Sequence, residues 1–181
     1  KHELEHILSD AKPKAFIGAE PYLAEIQAAM QSGFEPTLKV AMGAEDNRHF
    51  VELSGVYGNN GNFELYPARE EDTLTILYTS GTTGKPKAVI QTPAMALANY
   101  VNIRQAMSIA GDDVCLNYLP LFHTAGINLV TLPTLIEGGE VLVIPGFEVD
   151  EVVRLLAEGA LDTFFAVPAV YQQISLHPDF Q

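Results

Sequence analysis

A single cysteine, Cys115, leaves no possibility of an internal disulfide, and its place inside the apolar run 114–119 reads as core rather than as a nucleophile. Positive charge is scarce as well. Ten Lys and Arg stand against 23 Asp and Glu, a formal net charge of −13, and only Arg104 and Arg154 are basic after Lys87. Nucleic-acid backbones and anionic membranes are held by basic patches, so neither is an expected partner. No apolar run approaches the roughly 18 residues of a membrane span, and no signal peptide opens the chain. The expectation is a cytoplasmic protein without a transmembrane segment. There is no initiator methionine either; the chain opens Lys1-His2, as an excised segment or a processed product would.

What is present suits a packed α/β protein. A chain of 181 residues with 48% hydrophobic and 18% charged residues can form one domain, residues 1–181, that buries about 70% of the surface its unfolded chain exposes. Strands are expected at 14–17 and 38–42, with a helix between them that Pro21 opens and Gly33 ends. Residues 43–72 read as a variable surface region, with a short helix around 48–53 and a turn-rich tract, Gly58-Asn59-Asn60-Gly61-Asn62. Thr92 and Pro93 then start a helix whose Ala96, Tyr100, Ile103, Met107 and Ala110 share a face. Strand 114–119, a helix to Glu137 closed by Gly138-Gly139, strand 141–144, a helix striped by Val149, Val152, Val153 and Leu156, strand 163–167 and a helix from Pro168 follow. Such alternation predicts a parallel sheet with helices on both faces, buried around Val89, Leu116, Val143 and Phe165.

His2-Glu3-Leu4-Glu5-His6 satisfies the zinc-protease pattern H-E-x-x-H, yet it has no obvious third ligand, and Leu4, Ile7 and Leu8 give it the apolar face of an ordinary surface helix. No metal site is expected. The chemistry concentrates instead in Tyr78-Thr79-Ser80-Gly81-Thr82-Thr83-Gly84-Lys85-Pro86-Lys87-Ala88-Val89. Glycines let backbone amides approach an anion closely, four hydroxyls can donate hydrogen bonds, and Lys85 and Lys87 bring the missing positive charge. Pro86 follows Lys85 where a P-loop would need Ser or Thr, and 88–90 continue as a strand. The anion site therefore joins strand to strand and does not rest on a helix N-terminus.

This stretch resembles the phosphate loop Y-T-S-G-[ST]-T-G-x-P-K-G of the adenylate-forming superfamily, which includes acyl-CoA synthetases, luciferases and peptide-synthetase adenylation domains. Ala88 replaces the last glycine and is expected to be tolerated in extended backbone. The resemblance implies ATP phosphate binding by Thr79, Ser80, Gly81, Thr82, Thr83, Gly84, Lys85 and Lys87. Leu119-Pro120-Leu121-Phe122-His123-Thr124-Ala125-Gly126 resembles the L-P-x-F-H-x-x-G of acyl- and aryl-CoA ligases, and 165–169 resembles their V-P-[AT] segment. Phe122, His123, Gly126, Val167 and Pro168 are thereby implied for the acyl and carboxylate pocket.

By the same resemblance the chain is a partial N-terminal subdomain, an internal fragment of a carboxylate:CoA ligase that uses ATP, Mg and CoA on a small carboxylic acid, fatty or aryl. The adenine- and magnesium-binding segment and the catalytic lysine would lie beyond Gln181, so no catalytic residue is expected within the chain. The isolated chain is expected to be inactive and to self-associate through surfaces left uncovered. The rival reading is a stand-alone nucleotide-binding or interaction module that kept the fold without the chemistry.

Overall fold

The computed structural model describes residues 2–43, 48–57, 64–80 and 84–180. The chain divides into two compact units, one of residues 1–67 and 78–89, the other of residues 68–77 and 90–181.

In the first unit, α1 (His2–Ala11) precedes β1 (Ala15–Ala19), α2 (Leu23–Ser32), β2 (Leu38–Met42) and β3 (Val51–Glu52). The three strands form a parallel sheet in the order β1-β2-β3, in register from Ala15 opposite Leu38 to Ala19 opposite Met42, with Val40 opposite Val51. Pro21 lies in a 3-10 turn that leads into α2, and Gly33 caps it. Leu8 of α1 packs with Leu23, Ile26, Ala29 and Met30 of α2, Ala41 of β2 and Phe50. The short helix expected around 48–53 is absent from the described residues there. Burial of Phe50 draws the segment onto the sheet, where β-branched Val51 extends along β2, and a 3-10 turn over Leu53–Val56 follows, capped by the Glu52 carboxylate accepting from Ser54 N at 2.7 Å. The tract 58–62 expected to turn lies outside the described residues.

The second unit carries a parallel sheet in the order β7-β6-β8, formed by β6 (Val114–Asn117), β7 (Glu140–Val143) and β8 (Thr163–Phe164). Leu116 is the pivot, opposite Leu142 on one side and Phe164 on the other, and wholly buried. On its face lie Val152, Val153 and Leu155 of α5 (Val149–Ala157) and Val170 and Ile174 of α6 (Pro168–Ser175). Side chains alternate along a strand, so Cys115 and Asn117 point the other way, toward a π-helical segment (Ala125–Thr131) that runs into α4 (Leu132–Glu137). Helices thus cover both faces, as expected from the sequence. Burial pushes the Cys115 thiol pKa up, against a smaller lowering by Thr134, so the sulfur stays protonated and inert.

Before that sheet, α3 (Pro93–Met107) starts from Thr92, whose hydroxyl accepts from Met95 N at 3.3 Å. Ala96, Tyr100, Ile103 and Met107 are its half-buried face, as their spacing predicts. Ala110 does not belong to it. Ser108 takes a left-handed φ of 55°, the helix stops, and Ala110 N donates to the Asp113 carboxylate at 3.0 Å. Gly138, at φ 103°, closes α4.

β4 (Thr75–Thr79) pairs with β5 (Lys87–Gln91). The amide just before β4, Leu74 N, donates to Gln91 O at the far end of β5 at 2.9 Å, so the two strands run in opposite directions. Of the four residues expected to be buried only Leu116 is. Phe165 is half-buried and lies past the end of β8, which stops at Phe164, while Val89 is 45% exposed and Val143 55%, because Val89 belongs to a two-stranded sheet and Val143 ends an edge strand. Among the described residues no helix is long and apolar enough to cross a membrane.

Candidate functional site

The loop flanks lie as the strand-to-strand expectation required: β4 ends at Thr79 and β5 begins at Lys87. Gly81, Thr82 and Thr83 lie outside the described residues. Thr79, Ser80, Gly84, Lys85 and Lys87 are all exposed, so hydroxyl and ammonium groups are open to an arriving anion. Gly84 has φ +80°, and a side chain there would be strained by its own backbone even though no described residue lies within 4 Å of a Cβ. Ala88, by contrast, sits in extended β5 with no positive φ, so its methyl is accommodated as expected.

Both flanks are tied to α1. Tyr78 Oη donates to the Asp10 carboxylate at 2.7 Å, and His6 Nε2 lies 3.2 Å from Pro86 O, to which it donates. Burial first, then the Asp10 hydrogen bond and charge, push the Tyr78 phenol up to about 12. The phenol is therefore a donor throughout the neutral range. In the sequence His6 stood out only within a zinc-like pattern, and neither contact with the loop was legible there.

In the second unit the candidate residues gather at the carboxyl ends of the parallel strands, where such sheets place ligands. Residues 118–123 leave β6 as an irregular segment, turned by His123 N donating to Pro120 O at 3.0 Å. Phe122 is 84% exposed and lines a shallow cavity of about 340 Å³ with Tyr118, Leu119, Ile144 and Pro145. His123 is exposed, and its Nδ1 accepts from Ala125 N at 3.1 Å, which leaves Nε2 to carry the proton of the neutral ring. Val167 caps α6 and Pro168 is its first residue; both are exposed just past the end of β8. Gly126 behaves otherwise. It is buried, and a Cβ would lie 2.5 Å from Pro120 O and 2.9 Å from Leu119 O. Its role is to let the π-helical segment close on the loop that carries Phe122 and His123.

Asn117 escaped the sequence reading. It lies in an apolar strand, wholly buried, and its side chain ties the π-helical segment to that loop: Nδ2 donates to Thr131 Oγ1 at 2.9 Å and to Gly126 O at 3.3 Å, and Oδ1 accepts from Leu119 N at 2.9 Å. An amide inside the run Val-Cys-Leu-Asn-Tyr-Leu was the available signal, since a buried polar side chain needs partners. A π-helical segment beside it departs from regular helix, as such segments do at functional sites.

Tyr118 is the counter-case. Among the described residues its hydroxyl is a buried side-chain polar atom with no hydrogen-bond partner. Burial raises its pKa, Tyr171 adds to that, and the Val167 amide opposes it without reaching hydrogen-bonding geometry. The ring packs on Phe147 and Phe164 at centroid distances of 5.6 and 5.8 Å, contacts that phenylalanine would keep. Tyr118→Phe should therefore leave stability unchanged or raise it by up to about 1 kcal/mol in urea melts. A loss of more than that amount would mean the hydroxyl has a partner.

A further cavity, of about 210 Å³, reaches Thr124. Leu74, Met95, Ala96, Gln91, Asn99, Thr124 and Asn128 line it, and Asn128 Nδ2 donates within its wall to Thr124 Oγ1 at 2.9 Å and Gln91 Oε1 at 3.1 Å.

The fold defines an α/β protein with its candidate residues at the ends of strands. A family model described as AMP-binding enzyme matches residues 1–181, and the chain belongs to that family. It is 32% identical over 176 residues to a feruloyl-CoA synthase of Amycolatopsis sp, covering 97% of this chain and 33% of that protein. It is 28% identical to an indoleacetate–CoA ligase of Aromatoleum aromaticum, covering 99% and 35%. The anthranilate CoA ligase AuaEII, solved in complex with anthranoyl-AMP, shares the fold with a TM-score of 0.83 at 21% identity, covering 99% of this chain and 35% of that one. The chain thus spans about a third of the length of the proteins it matches.

Proposed function

We propose that this chain is part of an ATP-dependent acid–CoA ligase. A carboxylate oxygen would attack the α phosphorus of ATP, the bond to the β phosphate would break, and acyl-AMP and pyrophosphate would form. The CoA thiol would then displace AMP to give the thioester. The observation that carries this reading is the strand–loop–strand setting of Thr79, Ser80, Gly84, Lys85 and Lys87 in a member of the AMP-binding enzyme family. Hydroxyls and ammonium groups fixed at that point would hold the β and γ phosphates and match the charge of the leaving pyrophosphate.

His123 and Phe122 would be contacts and gates on the acid side, not acid or base, since a carboxylic acid is already ionised near neutral pH. The cavity beside Thr124 is small and partly lined by carboxamides, and two relatives are named for aryl acids, so an aryl acid is the proposed substrate class. Among the described residues no three His, Cys, Asp or Glu side chains are grouped to hold a metal ion, and no step is assigned to magnesium here. Self-association of the isolated chain, through apolar side chains such as Val89, Ile90, Leu97 and Val143, belongs to the same proposal.

The test is acid-dependent ATP–pyrophosphate exchange with ferulate, indoleacetate and palmitate. A protein carrying this chain at the length of its relatives should exchange with the aryl acids and release thioester with CoA, while the 181-residue chain stays at background. Exchange by the short chain alone, or none by the long protein with any acid, would contradict the proposal.

A further inference from the structure

Leu4 and Leu8 stand one helical turn apart on α1 and face the core, Leu8 being 1% exposed. His6 and Asp10 are also one turn apart, offset from the leucines by two residues, or about 200° around the helix. They therefore occupy nearly the opposite face, and on that face each reaches one flank of the phosphate loop: Asp10 the Tyr78 hydroxyl before it, His6 the Pro86 carbonyl after it. The two contacts span 68 and 80 positions of sequence, so they are made only when the unit is folded.

We propose that α1 is the positioning element of the phosphate loop, with His6 and Asp10 setting where its two ends emerge and hence where Thr79, Ser80, Gly84 and Lys85 present themselves to a polyphosphate. This rests on the phosphate-binding reading of the loop. A loop rich in glycine loses much conformational freedom when it closes on an anion, and fixing its ends beforehand reduces that loss. The phosphate itself touches neither His6 nor Asp10. Their part is indirect: the Asp10 carboxylate would repel an anion that came near, so its use is to hold Tyr78. The residues of the zinc-like pattern acquire a different reading, because His6 Nε2, one of the two nitrogens a metal would need, is already engaged by Pro86.

Pyrophosphate titration of the chain provides the test, with thermal melting of each variant alongside. Tyr78→Phe and His6→Ala should each weaken pyrophosphate binding roughly three- to tenfold, the size of one lost hydrogen bond, while the melting temperature falls by no more than about 5 °C. Asp10→Asn and His6→Gln, which keep an acceptor and a donor, should bind close to the unsubstituted chain, and Asp10→Ala should not. If Lys85→Ala weakens binding but Tyr78→Phe and His6→Ala do not, α1 has no positioning role and the inference falls while the loop reading stands. If Lys85→Ala has no effect, the loop reading itself falls. Binding losses that merely follow lowered melting temperatures, without rescue by Asn or Gln, would make the contacts structural and also overturn the inference.

Discussion

Gly126→Ala should destabilise the protein by about 3 kcal/mol or more and lower its melting temperature by about 6–12 °C. The added methyl would meet the Pro120 carbonyl oxygen at 2.5 Å and the Leu119 oxygen at 2.9 Å, and backbone atoms cannot rotate aside as a side chain could. Relief requires the π-helical segment to back away from the loop. That movement would stretch the bonds Asn117 makes to Gly126 O and Leu119 N, leaving a buried amide short of partners. Stability and the acid-side loop should suffer together. Gly146→Ala is the control, because nothing lies within 4 Å of its Cβ position and its φ is not positive; it should change stability by less than about 1 kcal/mol. Urea melts followed by circular dichroism read both. Equal stability of the two variants would mean that residues 118–126 do not pack as described.

Lys85→Ala should weaken pyrophosphate binding about tenfold. A charge-assisted contact to phosphate contributes about 1.5–3 kcal/mol, and exposure of Lys85 to solvent argues for the lower end. Starting affinity should be modest, about millimolar, because a formal charge of −13 opposes any polyphosphate. The loss should shrink as salt rises, since screening removes the same interaction from the unsubstituted chain. Lys14→Ala removes a charge far outside the motif and should leave binding within about twofold. Calorimetric titration at two salt concentrations separates these outcomes, and equal losses for the two lysines would reduce the effect to net charge.

Much of this fold was legible from periodicity. The strand 38–42 and the faces of α3 and α5 follow from apolar spacing that a single partner surface imposes. Elements decided by distant contacts were not. Val51 joins β2 because Phe50 is buried nearby, and Val89 stays exposed because, among the described residues, β5 pairs with β4 alone; neither fact is local. The residues of the two candidate clusters were legible because glycine, hydroxyl and lysine chemistry is written in sequence. Their supports were not: Asn117 works through Gly126 and Thr131, and His6 and Asp10 through residues 80 and 68 positions away.

The most direct test of the phosphate loop is residue-resolved: backbone amide shifts across the chain as pyrophosphate is added, read by heteronuclear NMR. The largest saturable shifts should fall on residues 79–87, with a single affinity in the millimolar range that Lys85→Ala weakens. Shifts centred elsewhere, or spread evenly over the surface without saturation, would contradict the assignment of this loop as the polyphosphate site.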